Sequence, residues 1–401
     1  MMPPVALHAI CISILFTIIH ACALINDASV KCLPDDSPCG IPGAPFIWYN
    51  KIPASPLRTI RTRVHVLADD NGMNPVIPET MVDAQMVLLN SYYFPLRVQF
   101  QFLPYLIRNT TLLNKRALPF CPISLIGNGK CDSYCNVSIT NYDGGDCVPP
   151  VSNNTVCTPG VCDEMCNIQQ FDWDHGECCI PSLGTTQCKD PRSILRIYYD
   201  PEDVKALVYP LLTDSWNIYV IAYTDCDWCG AISVFPWNYN STDFFNQGTL
   251  YNGILINNYS FGLQIGAHEF GHTLGLLHPF SGSETGTEEA FCKNPCYEGV
   301  QYALNVSGSD IVGDFLPDTR PTVIVVNRTY CGDPASNDCD NHPWIDTPFQ
   351  NIMTFGYLTP NCVTAATAFT PMQLGRMRCY LEGLYTSWFV IDIDDDDPSL
   401  Q

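Results

Sequence analysis

Residues 58–69, RTIRTRVHVLAD, alternate apolar and polar positions and predict a strand. Residues 78–94, PETMVDAQMVLLNSYYF, space their apolar positions as an amphipathic helix, and residues 96–107, LRVQFQFLPYLI, alternate again. A regular domain therefore opens strand, helix, strand. Residues 24–57 have no such period and are rich in Pro, Gly and Cys, so they read as a loop-like prosegment or N-terminal extension. The pattern breaks again between Cys121 and Cys188, where ten cysteines stand among Asp, Asn and Gly with few apolar runs. It resumes with SILRIYYD, a predicted helix PEDVKALVYPLL and a strand NIYVIAY over 217–223. Residues 120–188 are thus expected to be an insertion into an α+β domain spanning 58–388. From 281 to 350 little regular structure is expected, and a last helix is predicted over 370–385, with Thr370 as N-cap and Pro371 in the first turn.

Composition places the chain. Twenty-two cysteines survive only as disulfides or metal ligands, which calls for an oxidising compartment. The apolar run Ile10–Leu24 is too short to span a bilayer and ends in Ala21-Cys22-Ala23, so residues 1–23 read as a signal peptide, with a signal anchor as the competing reading. Cleavage removes Cys11 and Cys22 and leaves an even number. The expected product is secreted and extracellular, and not an integral membrane protein. Sequons at Asn109, Asn136, Asn153, Asn240, Asn258, Asn305 and Asn327 fit that compartment. A net charge of −22 excludes nucleic acid and anionic membrane surfaces as partners, because both require basic patches. Residues 389–401 form an acidic tail.

Candidate chemistry is concentrated in GAHEFGHTLGLLHPF, residues 266–280, which holds three of the chain's eight histidines. On a helix His268 and His272, at i and i+4, share a face and reach one cation, and Glu269 projects beside them. Gly275 can end the helix in a left-handed turn that returns His278 as a third ligand, leaving one position open, as in catalytic zinc sites. These groups predict hydrolysis by a zinc-bound water that Glu269 deprotonates.

This motif resembles that of the metzincin metallopeptidases, and its surroundings resemble the pappalysin family. NIMTFGY, 351–357, offers Met353 for the Met-turn; GSDIVGDFLPDT, 308–319, is similar to the family's Gly-Asp-x-x-x-Asp-Thr signature; FTPMQLGRM, 369–377, is similar to its closing Phe-Thr-x-x-Gln-x-x-Arg-Met. The resemblance implies a two-lobed zinc peptidase domain, with a twisted mixed sheet and helices above the cleft and an irregular C-terminal lobe. It implies one catalytic zinc and an extracellular protein or peptide substrate. It also implies structural calcium at Asp314, Asp318 and Thr319, where the residues alone equally describe a solvated acidic loop. The family's usual Tyr two residues after the Met is Phe355 here, and Tyr357 is the candidate transition-state stabiliser in its place. Phe355 also keeps open a second reading, a catalytically weak secreted docking protein.

Within the insertion, 121–147 and 157–179 each carry Cys-Asp-x-x-Cys-Asn followed by Asp-x-Gly-Asp/Glu-Cys. Clustered oxygen donors pinned by disulfides suit calcium in a module too small for a core. Both segments resemble Notch-type LNR repeats, which implies calcium at Asp143 and Asp146, and at Asp174 and Glu177; a disulfide knot without an ion is the alternative. SPCGIPG, 37–43, resembles the cysteine-switch peptide of other metzincins. Cys39 therefore has two readings, a thiolate on the zinc or a small disulfide loop with Cys32.

Overall fold

The computed structural model describes residues 37–117, 123–132, 214–222, 231–233, 253–281, 292–300, 312–322, 336–354 and 367–390, with isolated positions between them. The predicted signal peptide, the second LNR-like segment and residues 391–401 of the acidic tail lie outside the described residues, as does most of the predicted helix after residue 200, whereas Phe389, expected in the tail, is buried in the core and bridges Ile60.

The strands are β1 (Arg58–Ala68), β2 (Val98–Arg108), β3 (Arg116–Ala117), β4 (Tyr198–Tyr199), β5 (Trp216–Ile221), β6 (Ala231–Ile232) and β7 (Ile254–Asn257); the helices are α1 (Ala44–Tyr49), α2 (Glu79–Tyr93), α3 (Thr110–Leu113), α4 (Asn141–Gly144), α5 (Ile265–Thr273) and α6 (Pro371–Gly383). The main sheet runs β2-β1-β5-β7-β6. Its first four strands are parallel, with Arg58 opposite Val98, Thr62 opposite Trp216 and Ile218 opposite Ile254, and only β6 is antiparallel. The small β3–β4 pair joins the chain on either side of the predicted insertion.

A parallel sheet needs cover on both faces, and the strand alternation supplies it. Ile60, Val64, Val66, Ile218, Val220, Ile254 and Ile256 enter one core, while Leu67, Tyr219, Ile221 and Leu255 enter another with Ile107 and Val204. Each fully buried aliphatic side chain contributes about 1.5–3 kcal/mol. In the larger core α2 buries Val82, Gln85, Leu89, Tyr92 and Tyr93 at helical spacing. Phe270 of α5 sits within an aromatic cluster there, with ring centroids 4.9 Å from Tyr93, 5.0 Å from Phe100 and 4.2 Å from Trp216. That cluster fixes the helix carrying the two-histidine motif against the sheet.

The segment expected as a loop-like extension is built into the fold. Helix α1 lies so close to α6 that a Cβ on Gly375 would fall 1.8 Å from the Pro45 carbonyl oxygen. Disulfides Cys32–Cys296 and Cys39–Cys379 tie the same segment down. This corrects both readings of Cys39: its sulfur is bonded to Cys379, so it neither pairs with Cys32 nor has a thiolate to offer a metal. Thr370 caps α6 as expected, in a reciprocal box with Gln373.

Candidate metal centre

Helix α5 is buried at every position from Ile265 to Thr273, as expected of a helix inside a core rather than on a surface. Its close is a Schellman turn. Gly275 stands at φ +84°, its N–H bonds the His272 carbonyl at 2.9 Å, and the Leu276 N–H bonds the Gly271 carbonyl at 3.0 Å. Glycine is required at 275 twice over, since a Cβ there would also meet the Tyr380 ring at 2.2 Å. The turn has a chemical result: the Leu276 carbonyl points back and accepts the Nδ1 proton of His272 at 2.7 Å.

His268 is oriented the same way from a distant segment, its Nδ1 donating to the Ile352 carbonyl at 2.7 Å. Met353 follows immediately and lies beneath the helix, where a Cβ on Gly271 would meet its sulfur at 2.5 Å. A carbonyl only accepts, so both Nδ1 atoms carry protons and both Nε2 atoms present lone pairs. Burial and the neighbouring imidazole of His278 push His268 down to about 3 and hold His272 well below the ordinary histidine range, which keeps both rings neutral. The Nε2 atoms of His268, His272 and His278 converge, 3.1 Å between the first and third and 3.0 Å for each other pair. Tetrahedral ligands about 2.0–2.1 Å from zinc stand about 3.3 Å apart. Three imidazole nitrogens at this spacing, two of them on neutral rings held in one tautomer by backbone carbonyls, fit a cation. Glu269 is 6 % exposed, and burial pushes its carboxyl up to about 8; a cation at the three nitrogens acts in the opposite direction.

Of the other predicted residues, Asp143 and Asp146 come together in a loop closed by Cys131–Cys147. Asp143 adopts φ 67° and Gly144 φ 65°, Asp143 Oδ2 accepts the Asp132 N–H, and Asp146 Oδ2 accepts the Gly129 N–H at 2.8 Å. Burial first, then the charges of Asp132 and Asp146, raise the Asp143 carboxyl above its ordinary range. Asp174, Glu177, Phe355 and Tyr357 lie outside the described residues. Asp318 caps α6, its carboxylate accepting the Thr370 hydroxyl and the Met372 N–H, each at 2.8 Å. Asp314 is buried, with Oδ1 accepting the Leu316 N–H at 3.0 Å, and Thr319 Oγ1 stands 3.4 Å from Thr370 Oγ1. The sequence reading missed a second grouping of ligand-type atoms, Asp338, Asp340 and His342. There Asp338 accepts the backbone N–H groups of Val300, Asp340 and His342 and braces the loop closed by Cys292–Cys339.

A mostly parallel sheet in a disulfide-linked domain, with three convergent histidines on a helix and its following turn, fits a metzincin-like domain. The pattern of the Notch LNR domain matches residues 117–148. Pappalysin-1 of Mus musculus is 32% identical over 351 residues, covering 85% of this chain and 20% of that protein. Pappalysin-1 of Homo sapiens is 32% identical over 342 residues, covering 82% and 19%. The chain is a pappalysin-family protein with an LNR repeat, and it spans about a fifth of the length of these relatives. Among the described residues no helix is long and apolar enough to cross a membrane.

Proposed function

We propose that this chain is a secreted zinc-dependent endopeptidase acting on extracellular proteins. The observation that carries the reading is the convergence of the Nε2 atoms of His268, His272 and His278 with Glu269 on the same buried helix. Zinc held by these three imidazoles would supply Lewis acidity toward a scissile carbonyl and bring a water's pKa toward neutrality. The protein's part is proton handling and exclusion of solvent. The Glu269 carboxylate takes a proton from the attacking water and returns it to the leaving amine, so that one water is consumed for each C–N bond broken. The Ile352 and Leu276 carbonyls hold the imidazole tautomers, and the burial of Glu269 removes bulk water that would compete for its proton.

The test is cleavage of a denatured protein mixture by the purified chain. Chelation should abolish cutting and about one equivalent of zinc should restore it; a chain that takes up zinc and cuts nothing in the mixture returns the site to the docking reading that Phe355 favours. We further propose calcium at Asp143 and Asp146, and at Asp174 and Glu177 in the second segment. Calcium titration by calorimetry is expected to lose one binding event in an Asp143→Ala, Asp146→Ala variant, and an unchanged isotherm removes the first site.

A further inference from the structure

Resting on the zinc reading above, the geometry points to Gln373 as a positioning residue for the metal centre, acting through Asn351 and the Ile352 carbonyl on His268. Gln373 is fully buried and belongs to the last helix, far along the chain from every candidate ligand. As the third residue of α6 it completes the capping box, its Oε1 accepting the Thr370 N–H at 3.0 Å. A capping role needs nothing more, yet the same amide is also bonded to the Met-turn. Its Oε1 accepts the Asn351 Nδ2–H at 2.6 Å and its Nε2 donates to Asn351 Oδ1 at 3.3 Å, an amide facing an amide in the core.

Asn351 distributes that constraint along the turn. Its Oδ1 accepts the Met353 N–H at 2.9 Å, and its carbonyl accepts the Thr354 hydroxyl at 2.7 Å. Between these anchors the Ile352 N–H is held by the Ala368 carbonyl at 2.9 Å. The peptide on either side of Ile352 is thereby pinned, and its own carbonyl is aimed at His268 Nδ1. The path is continuous from the α6 cap to a ligand's ring orientation, and every group in it from Gln373 to His268 is buried. Buried amides of this kind act in a low dielectric, where a satisfied network is rigid and a broken one is costly. Partners that orient a ligating histidine typically govern metal affinity by 10–100-fold.

The test uses the full chain and reads metal binding directly. Zinc affinity is measured by competition with a chromophoric chelator, and the visible spectrum is recorded on the cobalt(II)-loaded protein. Gln373→Leu should bind zinc about 10–100-fold more weakly and alter the cobalt spectrum. Ile221→Ala, which opens a cavity in the core on the opposite face of the sheet, should lower stability while leaving both readouts as in the parent. In the cycle with Asn351→Ala, the double variant should be no weaker than the weaker single, because both substitutions break one path. Gln373→Glu keeps an oxygen for the cap and for Asn351 while removing the Nε2 donor; if Gln373→Leu does not fold, a several-fold loss of affinity in Gln373→Glu supports the role. Zinc affinity within twofold of the parent and an unchanged cobalt spectrum in the folded variant overturn it. A parent chain that takes up no zinc sinks the metal-site reading instead, before Gln373 is at issue.

Discussion

Replacing Glu269 by Gln is expected to leave about one zinc per chain and to slow proteolysis by at least a hundredfold. Glutamine keeps the volume and the hydrogen-bonding reach of the side chain, so the packing of α5 around Phe270 is undisturbed, and His268 and His272 keep their carbonyl partners. What it loses is the ability to take a proton, and general acid–base groups typically contribute 10²–10⁴ in rate. A hundredfold loss corresponds to about 2.7 kcal/mol of transition-state stabilisation. Zinc content by atomic absorption and cleavage rate on one batch of protein decide the matter. Undiminished cutting removes Glu269 as the base, and loss of zinc along with activity makes it part of the metal's support instead.

The second large effect is expected on stability. Cys39→Ser combined with Cys379→Ser should lower the melting temperature by about 10 °C, with no gain in peptidase activity. The bond closes a sequence separation of 340, and both cysteines belong to the main core. Removing a native disulfide typically costs 2–5 kcal/mol, and a degree of melting temperature in a domain of this size corresponds to a few tenths of a kcal/mol. A removable inhibitory segment makes the opposite prediction, since freeing it would raise activity. A protease nick between Cys39 and Arg58 should release no peptide until a reductant is added, which non-reducing and reducing electrophoresis distinguish directly. Activation on releasing this segment, with melting unchanged, contradicts its role as a built-in brace.

Part of this architecture was legible in the chain and part was not, for physical reasons. The spacing of His268, His272 and His278 was legible because helical geometry and one left-handed glycine are local facts, fixed within eleven residues. The alternation of β1 and β2 and the amphipathic spacing of α2 were legible for the same reason. The carbonyl that orients His268 was not, because it comes from Ile352 across 84 residues and any residue type supplies a carbonyl. Cys39 shows how a local rule fails. Short loops close at lower entropic cost, which favours Cys32 as partner, but the packing of Pro45 against Gly375 brings Cys379 to it instead. The two-residue strand β6 left no readable pattern, since alternation cannot be recognised over Ala231 and Ile232 alone. The capping bonds from Asp318 to Thr370 and Met372 were not legible either, because an acidic loop residue carries no local sign of the helix it will cap, and they appear only once α6 is placed.

The register of the sheet also sets an order of assembly. β1 and β2 are joined by α2 and pair about 40 residues apart, so this unit can form while the chain is still short. β1 cannot acquire its other neighbour until Trp216, about 150 residues beyond Thr62, has been made. In the interval one edge of β1 is unpaired, and the cysteines of the LNR segment are synthesised beside it. Long-range parallel pairing is slow because loop closure precedes its reward. The Cys131–Cys147 bond closes only 16 residues, so its ring can form while β1 still waits for β5, and closing it would take two thiols out of reach of mispairing in that interval.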